Sequence, residues 1–297
     1  DTMYLLPPPY DPDPDEEAAF ARLWAAIQEN GNGAEIEYAL PYPRHEFLMY
    51  LTGRDALIFH GSNNHEINEF VPLRQSFELR DPTGRGNLPA VYGTHDALWA
   101  MWFAILDKSR MKGSTQNGVM DFHNPAGESI SVYLFSISAE AVPLRPFTEG
   151  MLYFLPRDNF RQLEMAGGVP ANEWASTEPV VPLAKLRVRP ADFPFLDQVA
   201  GHSDPELARL SAATDTVLAA VTDHMGGDGQ LTLTLDWQAE SAAGILEYIS
   251  MMRVISPTAV LDLHVPAGAE PVTLTIQAAP AYLQVMENRL ANQEPGT

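Results

Sequence analysis

Apolar residues at Phe20, Leu23, Trp24 and Ile27 recur three or four positions apart, which is the spacing of one helical face. They predict a helix that starts within residues 13–17, where carboxylates suit a helix N-terminus, and runs to about residue 29. Residues 30–33, with two glycines, end it, and a second short helix is expected over residues 44–52. The pattern then changes to short β-branched or aromatic runs bounded by turn residues, predicting strands at 56–60, 90–94, 130–138, 150–155 and 180–188. Between the second and third of these, Leu98, Trp99, Trp102, Phe103 and Leu106 mark a helix over residues 95–107. Residues 112–127 are polar and contain glycine, and they read as a loop.

Residues 190–195 close this region, and residues 202–205 read as a linker carrying a helix N-cap. Beyond it the pattern predicts a helix to about residue 224, a strand at 231–237, a helix at 239–252, strands at 259–265 and 272–277, and a last helix at 280–290. The expected architecture is α+β in three parts: an N-terminal helical segment at 1–55, a central domain at 56–196, and a small C-terminal α+β domain at 204–297.

Composition narrows the function. The chain of 297 residues is 45% hydrophobic and 19% charged, as a folded protein is. It has no cysteine, which removes disulfides, thiolate metal sites and a cysteine nucleophile together. No apolar run approaches the roughly 20 residues of a membrane span, so a soluble, cytoplasmic protein is expected, with secretion left open by the start at Asp1. A formal charge of −21 argues against a polyanionic nucleic acid as partner. The charge is uneven: residues 54–196 carry 13 basic and 16 acidic side chains, while 204–297 carry 3 and 12. An anionic dinucleotide is therefore least disfavoured in the middle of the chain.

Three short motifs in that middle carry candidate chemistry. The apolar run Leu57, Ile58, Phe59 ends on His60, Gly61, Ser62, and a glycine at a strand end lets a ligand reach the backbone amide and carbonyl. Ala90, Val91, Tyr92, Gly93, Thr94 leads directly into an alanine-faced helix, so that the Tyr92 ring can meet a flat ligand. Asn172, Glu173, Trp174, Ala175, Ser176 opens what reads as a strand continuing through Val180, Val181 and Leu186 to Val188, and a carboxylate at such a mouth can stabilise positive charge at a sugar carbon. Taken singly, each also fits a plain structural role: a buried strand ending in His-Gly, a core tyrosine, a surface glutamate.

Together and in this order they resemble the His-Tyr-Glu arrangement of the ADP-ribosyltransferase superfamily, in its poly(ADP-ribose)-polymerase-like and diphtheria-toxin-like branch. The resemblance covers roughly residues 56–194 and implies a split β-sandwich that binds NAD as a substrate. It implies that His60 meets a ribose hydroxyl, that the Gly61 backbone clamps the nicotinamide carboxamide, and that Ser62 lies beside the adenosine. Tyr92 would stack on the nicotinamide ring with Phe103 at its other side, and Glu173 would be the catalytic residue, favouring an oxocarbenium-like transition state. Residues 67–73 stand for the segment after the histidine, and 74–89 for the loop over NAD. ADP-ribose would pass to an acceptor, protein being the class in view.

Two departures bear on this. Ala100 stands where relatives place a serine that holds the carboxamide, and Ala171 stands where the arginine-modifying toxins carry a second Glu or Gln. The alternative keeps the fold without the chemistry, as an inactive nucleotide-binding or protein-interaction module. A third reading has no part for NAD. His123, His202, His224 and His264 lack metal-ligand spacing, and no metal is expected. Asp11, Asp13 and Asp15 read as a solvated acidic tail, and Met251, Met252 and Met286 as core filling. In the acidic C-terminal domain Gly226, Gly227 and Gly229 precede a strand and suit a turn; recognition of a basic partner is the role expected there, the alternative being a domain that only buttresses the middle one.

Overall fold

The Asp13 carboxylate opens the first helix by accepting hydrogen bonds from the Asp15 and Glu16 amides, both at 2.9 Å. In the computed structural model this helix, α1, covers Pro14–Asn30 and stops where Gly31 turns left-handed at φ 43°. A second helix, α2, covers Arg44–Thr52, the span expected from sequence. The structure describes residues 5–73, 88–123, 129–164, 170–227, 229–255, 259–268, 270–278 and 280–291. The expected loop over NAD lies largely outside the described residues.

Next along the chain come β1 (Leu57–Ser62), β2 (Val91–Gly93), α3 (Ala97–Ile105), β3 (Thr115–His123) and β4 (Ser129–Ser138). They are followed by β5 (Gly150–Pro156), β6 (Arg161–Glu164), β7 (Pro170–Ser176), β8 (Ala184–Val188) and β9 (Ala200–His202). These strands form three small sheets, ordered β1-β5-β8, β2-β7-β6 and β3-β4-β9. The described residues fall into two compact units, one drawn from Leu5–Asp121 and Tyr133–Gly201, the other from Phe122–Val132 and His202–Thr297. The fold is mixed α+β.

The first unit buries β1 on both faces, which is why Leu57, Ile58 and Phe59 are all apolar. Phe59 joins a core of Phe20, Phe47, Trp102, Phe135 and Phe154, to which α1, α2 and α3 contribute. Ile58 points the other way, into Phe70, Val91, Tyr153, Trp174 and Val180. Helix α3 comes unusually close to the strands: a Cβ on Gly61 would lie 2.0 Å from the Ala100 carbonyl oxygen, and one on Gly150 would lie 1.8 Å from that of Ala104. Glycines on β1 and β5, facing alanines on α3, let backbone meet backbone.

The structure departs from three expectations. Residues 115–123 of the expected polar loop form strand β3, because edge pairing with β4 satisfies a backbone whose side chains carry little apolar signal. Glu173 does not open the strand that reaches Val188; β7 ends at Ser176, Val180 makes an isolated bridge with Phe70, and β8 belongs to another sheet. The helix expected to reach residue 224 ends at Ala220, and Val221–Gly227 pairs as a strand instead.

That strand belongs to the second unit, built from α4 (Asp204–Ala220), β10 (Val221–Gly227), β11 (Gln230–Leu235), α5 (Ala239–Ile255), β12 (Val260–His264), β13 (Val272–Gln277) and α6 (Pro280–Ala291). Its sheet is antiparallel throughout, in the order β10-β11-β13-β12. Leu231, Leu233, Leu235, Val272, Leu274 and Ile276 alternate into a core with Val217, Leu218, Tyr248 and Met286, leaving threonines on the other face. Gly229, at φ 77°, turns the chain from β10 to β11. Ser203 caps α4 through the Glu206 amide at 3.4 Å.

Candidate functional site

The end of β1 is joined to β2 by one pair of main-chain bonds. Phe59 donates to the Thr94 carbonyl at 2.7 Å and accepts from the Thr94 amide at 3.0 Å. Directly beyond, His60 Nδ1 lies 2.7 Å from the Tyr92 carbonyl oxygen. A carbonyl only accepts, so Nδ1 carries the proton, and Nε2 is the acceptor of the neutral ring. The His60 ring is also 4.7 Å from that of Phe70. Two residues 32 positions apart are thus held together by the side chain of one and the backbone of the other.

Strand alternation fixes where the Gly61 backbone points. Phe59 spends its N–H and C=O on the β2 edge, so Gly61, two residues on, directs its own pair to that same edge and away from β5. Among the described residues no strand pairs with β1 along that edge beyond the isolated Phe59–Thr94 bridge. The side on which a Cβ would stand is filled by α3, with Ala100 O at 2.0 Å and Ala104 N at 2.6 Å. Gly61 is therefore required by packing as well as open along its edge. Asn63 Nδ2 donates to the Ala104 carbonyl at 2.7 Å and holds the loop against α3. Ser62 Oγ accepts from the Asn64 amide at 3.1 Å and so serves that loop. Tyr153 steadies the same loop, donating to the Asn64 carbonyl at 2.7 Å and accepting from the Ile67 amide at 3.1 Å.

Tyr92 is half-buried on β2, and its hydroxyl donates to the Leu88 carbonyl at 2.5 Å. In the sheet it stands opposite Ala175, and Gly93 stands opposite Trp174. Glu173, half-buried, is the next residue of β7. The structure therefore puts His60, Gly61, Tyr92 and Glu173 on three successive neighbours, β1, β2 and β7. Phe103 projects from α3, its ring 5.9 Å from that of Trp99, with the Lys108 ammonium 6.0 Å over its face. Ala100 is fully buried, and its place on α3 supplies no hydroxyl.

Residues given no role at the site by the sequence border these. Trp99 Nε1 donates to Asn117 Oδ1 on β3 at 2.7 Å, and Asn172 Nδ2 donates to the Val119 carbonyl on the same strand at 2.9 Å. The Arg157 guanidinium lies 4.3 Å over the Trp174 ring. Asn172 was visible as part of its motif; Asn117 sat in a stretch read as loop and gave no signal. Under the site, Asp96 caps α3 by accepting from the Trp99 amide at 2.7 Å, and it accepts from the Tyr133 hydroxyl at 2.6 Å. Burial pushes the Asp96 carboxyl up, against the pull of those two donors. The Tyr133 hydroxyl is pushed up too, by burial and by the neighbouring Asp96.

Among the described residues no group of three or more His, Asp or Glu is placed to hold a metal ion, and no helix is long and apolar enough to cross a membrane. No family model, no curated protein and no solved structure matches the chain.

Proposed function

We propose that the first unit binds NAD and transfers its ADP-ribose, in the manner of the ADP-ribosyltransferases that the His60, Tyr92 and Glu173 motifs resemble. The observation that carries this reading is the Gly61 edge: one N–H and one C=O side by side, beyond the last bond to β2 and beside Tyr92. A carboxamide offers the complementary donor and acceptor in one plane, so this edge fits the nicotinamide end of NAD. The acceptor polarity of His60 Nε2 suits a ribose hydroxyl donor. The site residues of this reading are His60, Gly61, Ser62, Tyr92 and Phe103 for NAD, with Glu173 as the catalytic group.

In the reaction the bond between the ribose anomeric carbon and the nicotinamide nitrogen breaks, and both its electrons leave with nicotinamide. The Glu173 carboxylate stabilises the cationic sugar that remains, and an acceptor nucleophile, a protein side chain or water, closes on it. A second reading, binding without chemistry, is favoured by one observation: position 100 is an alanine, with no side-chain hydroxyl where the relatives' serine would hold the carboxamide.

Adenylate-labelled NAD incubated with the protein separates the two, when nicotinamide release and label transfer are followed together. Release is expected from the parent protein, and Glu173→Gln is expected to lower it on the order of a hundredfold or more, with NAD still bound. Full turnover in Glu173→Gln would remove Glu173 from the chemistry. Binding with no release in the parent protein would establish the second reading.

A further inference from the structure

Strand β7 is irregular at the residue that matters most. Its register with β2 runs from Val91↔Ser176 to Gly93↔Trp174 and stops there. Its register with β6 passes from Gln162↔Trp174 to Glu164↔Pro170, so Ala171, Asn172 and Glu173 together face a single residue, Leu163. Regular ladder pairing thus sets the direction of Glu173 from neither side, and such irregularities re-aim side chains.

Side-chain amides act where the ladder is interrupted. Gln162 Nε2 donates to the Ala171 carbonyl at 2.9 Å, and Asn172 Nδ2 donates to the Val119 carbonyl at 2.9 Å. Two residues before Val119, Asn117 Oδ1 accepts from Trp99 Nε1 at 2.7 Å, and Trp99 stands one helical turn before Phe103. Strand β3 is therefore tied at one residue to the helix face of Phe103 and, two residues later, to the strand of Glu173.

We propose that Asn172 is a positioning residue that aims Glu173 at the sugar, and that Asn117 sets the aromatic face of α3 for the nicotinamide ring. This rests on the reading of the site as an ADP-ribosyltransferase centre. A displacement of about 1 Å at a reacting group costs on the order of a hundredfold in rate, so one lost hydrogen bond is enough to be measured.

The two residues are expected to act on different kinetic constants for nicotinamide release. Asn172→Ala should lower kcat about tenfold or more with KM within about twofold, since it disturbs a group used in the transition state. Asn117→Ala should raise KM for NAD with kcat nearly unchanged, since it disturbs ground-state stacking. Asn172→Asp keeps the size but offers no donor to the Val119 carbonyl, so it should match Asn172→Ala, and it carries the test if the alanine variant does not fold. Amide hydrogen exchange over residues 170–176 should quicken in both Asn172 variants. Wild-type kcat in them, or equal effects of Asn172 and Asn117 variants on both constants, would overturn the assignment while leaving the function standing. A parent protein that neither binds nor cleaves NAD would take down the functional reading and the positioning role with it.

Discussion

Glu16 lies in the first turn of α1 with its side chain buried and its Oε1 sealed from water without a hydrogen-bond partner. Burial, followed by the neighbouring Glu46 carboxylate on α2, pushes its carboxyl up to about 7. Two neighbouring carboxyls cannot both ionise cheaply, so Glu16 holds its proton to higher pH. The shift is upward in the folded state, so the stabilisation is full below the ordinary value of 4.5 and is lost as pH rises through about 7. Glu16→Gln keeps the size of the side chain and cannot ionise. Its melting temperature is expected to exceed that of the parent by a few degrees, roughly 2–4 °C per kcal/mol, at pH 8 and to match it at pH 4.5. An unchanged difference across that range would show that the pair carries no linkage. Tyr10, whose hydroxyl is also buried without a partner, is pushed up to about 12 by burial and then by the Glu16 and Glu17 carboxylates.

At the scale of elements, α3 depends on Asp96 more than its short apolar sequence suggests. Asp96→Ala removes the helix cap and leaves the buried Tyr133 hydroxyl unsatisfied, losses of about 1 kcal/mol and about 1–3 kcal/mol. A fall of about 2–4 kcal/mol in unfolding free energy by denaturant titration is expected, and a change below ~1 kcal/mol would mean the cap is dispensable. What sequence reveals about such elements follows from how they are buried. Helices α1 and α2 and strands β5 and β13 were legible because their apolar spacing repeats over several residues. Strand β3 was not, since Thr115, Gln116, Asn117 and Gly118 are held by pairing and side-chain amides that leave no apolar period. The break after α4 was hidden because Val217, Leu218 and Val221 continue a helical spacing, and only pairing with β11 converts Val221–Gly227 to strand. Motif order exposed His60, Gly61, Tyr92 and Glu173, but their adjacency and the role of Asn117 depend on contacts that short spacing does not encode.

For the whole molecule the governing quantity is charge. At −21 the protein repels NAD, whose pyrophosphate is anionic, and salt screens that repulsion. KM for NAD is expected to fall, on the order of twofold, between about 0.02 and about 0.2 M salt. A KM that rises with salt would instead reveal a local basic cluster drawing phosphates in.

The pairing of Leu57 with Pro156 and of Val91 with Ser176 also sets a timetable for the chain as it is made. Synthesis proceeds at about 5–20 residues per second, so β1 leaves the ribosome roughly 5–20 s before the strand that will receive it. During that interval Phe59 and Ile58, which end fully buried, have no sheet to enter, and loop closure over so long a stretch is slow. Helix α3 emerges within the same interval, and it can rest on Gly61 long before Gly150 exists to complete its seat. A nascent chain therefore passes through a stage that holds β1 and α3 but neither β5 nor Glu173.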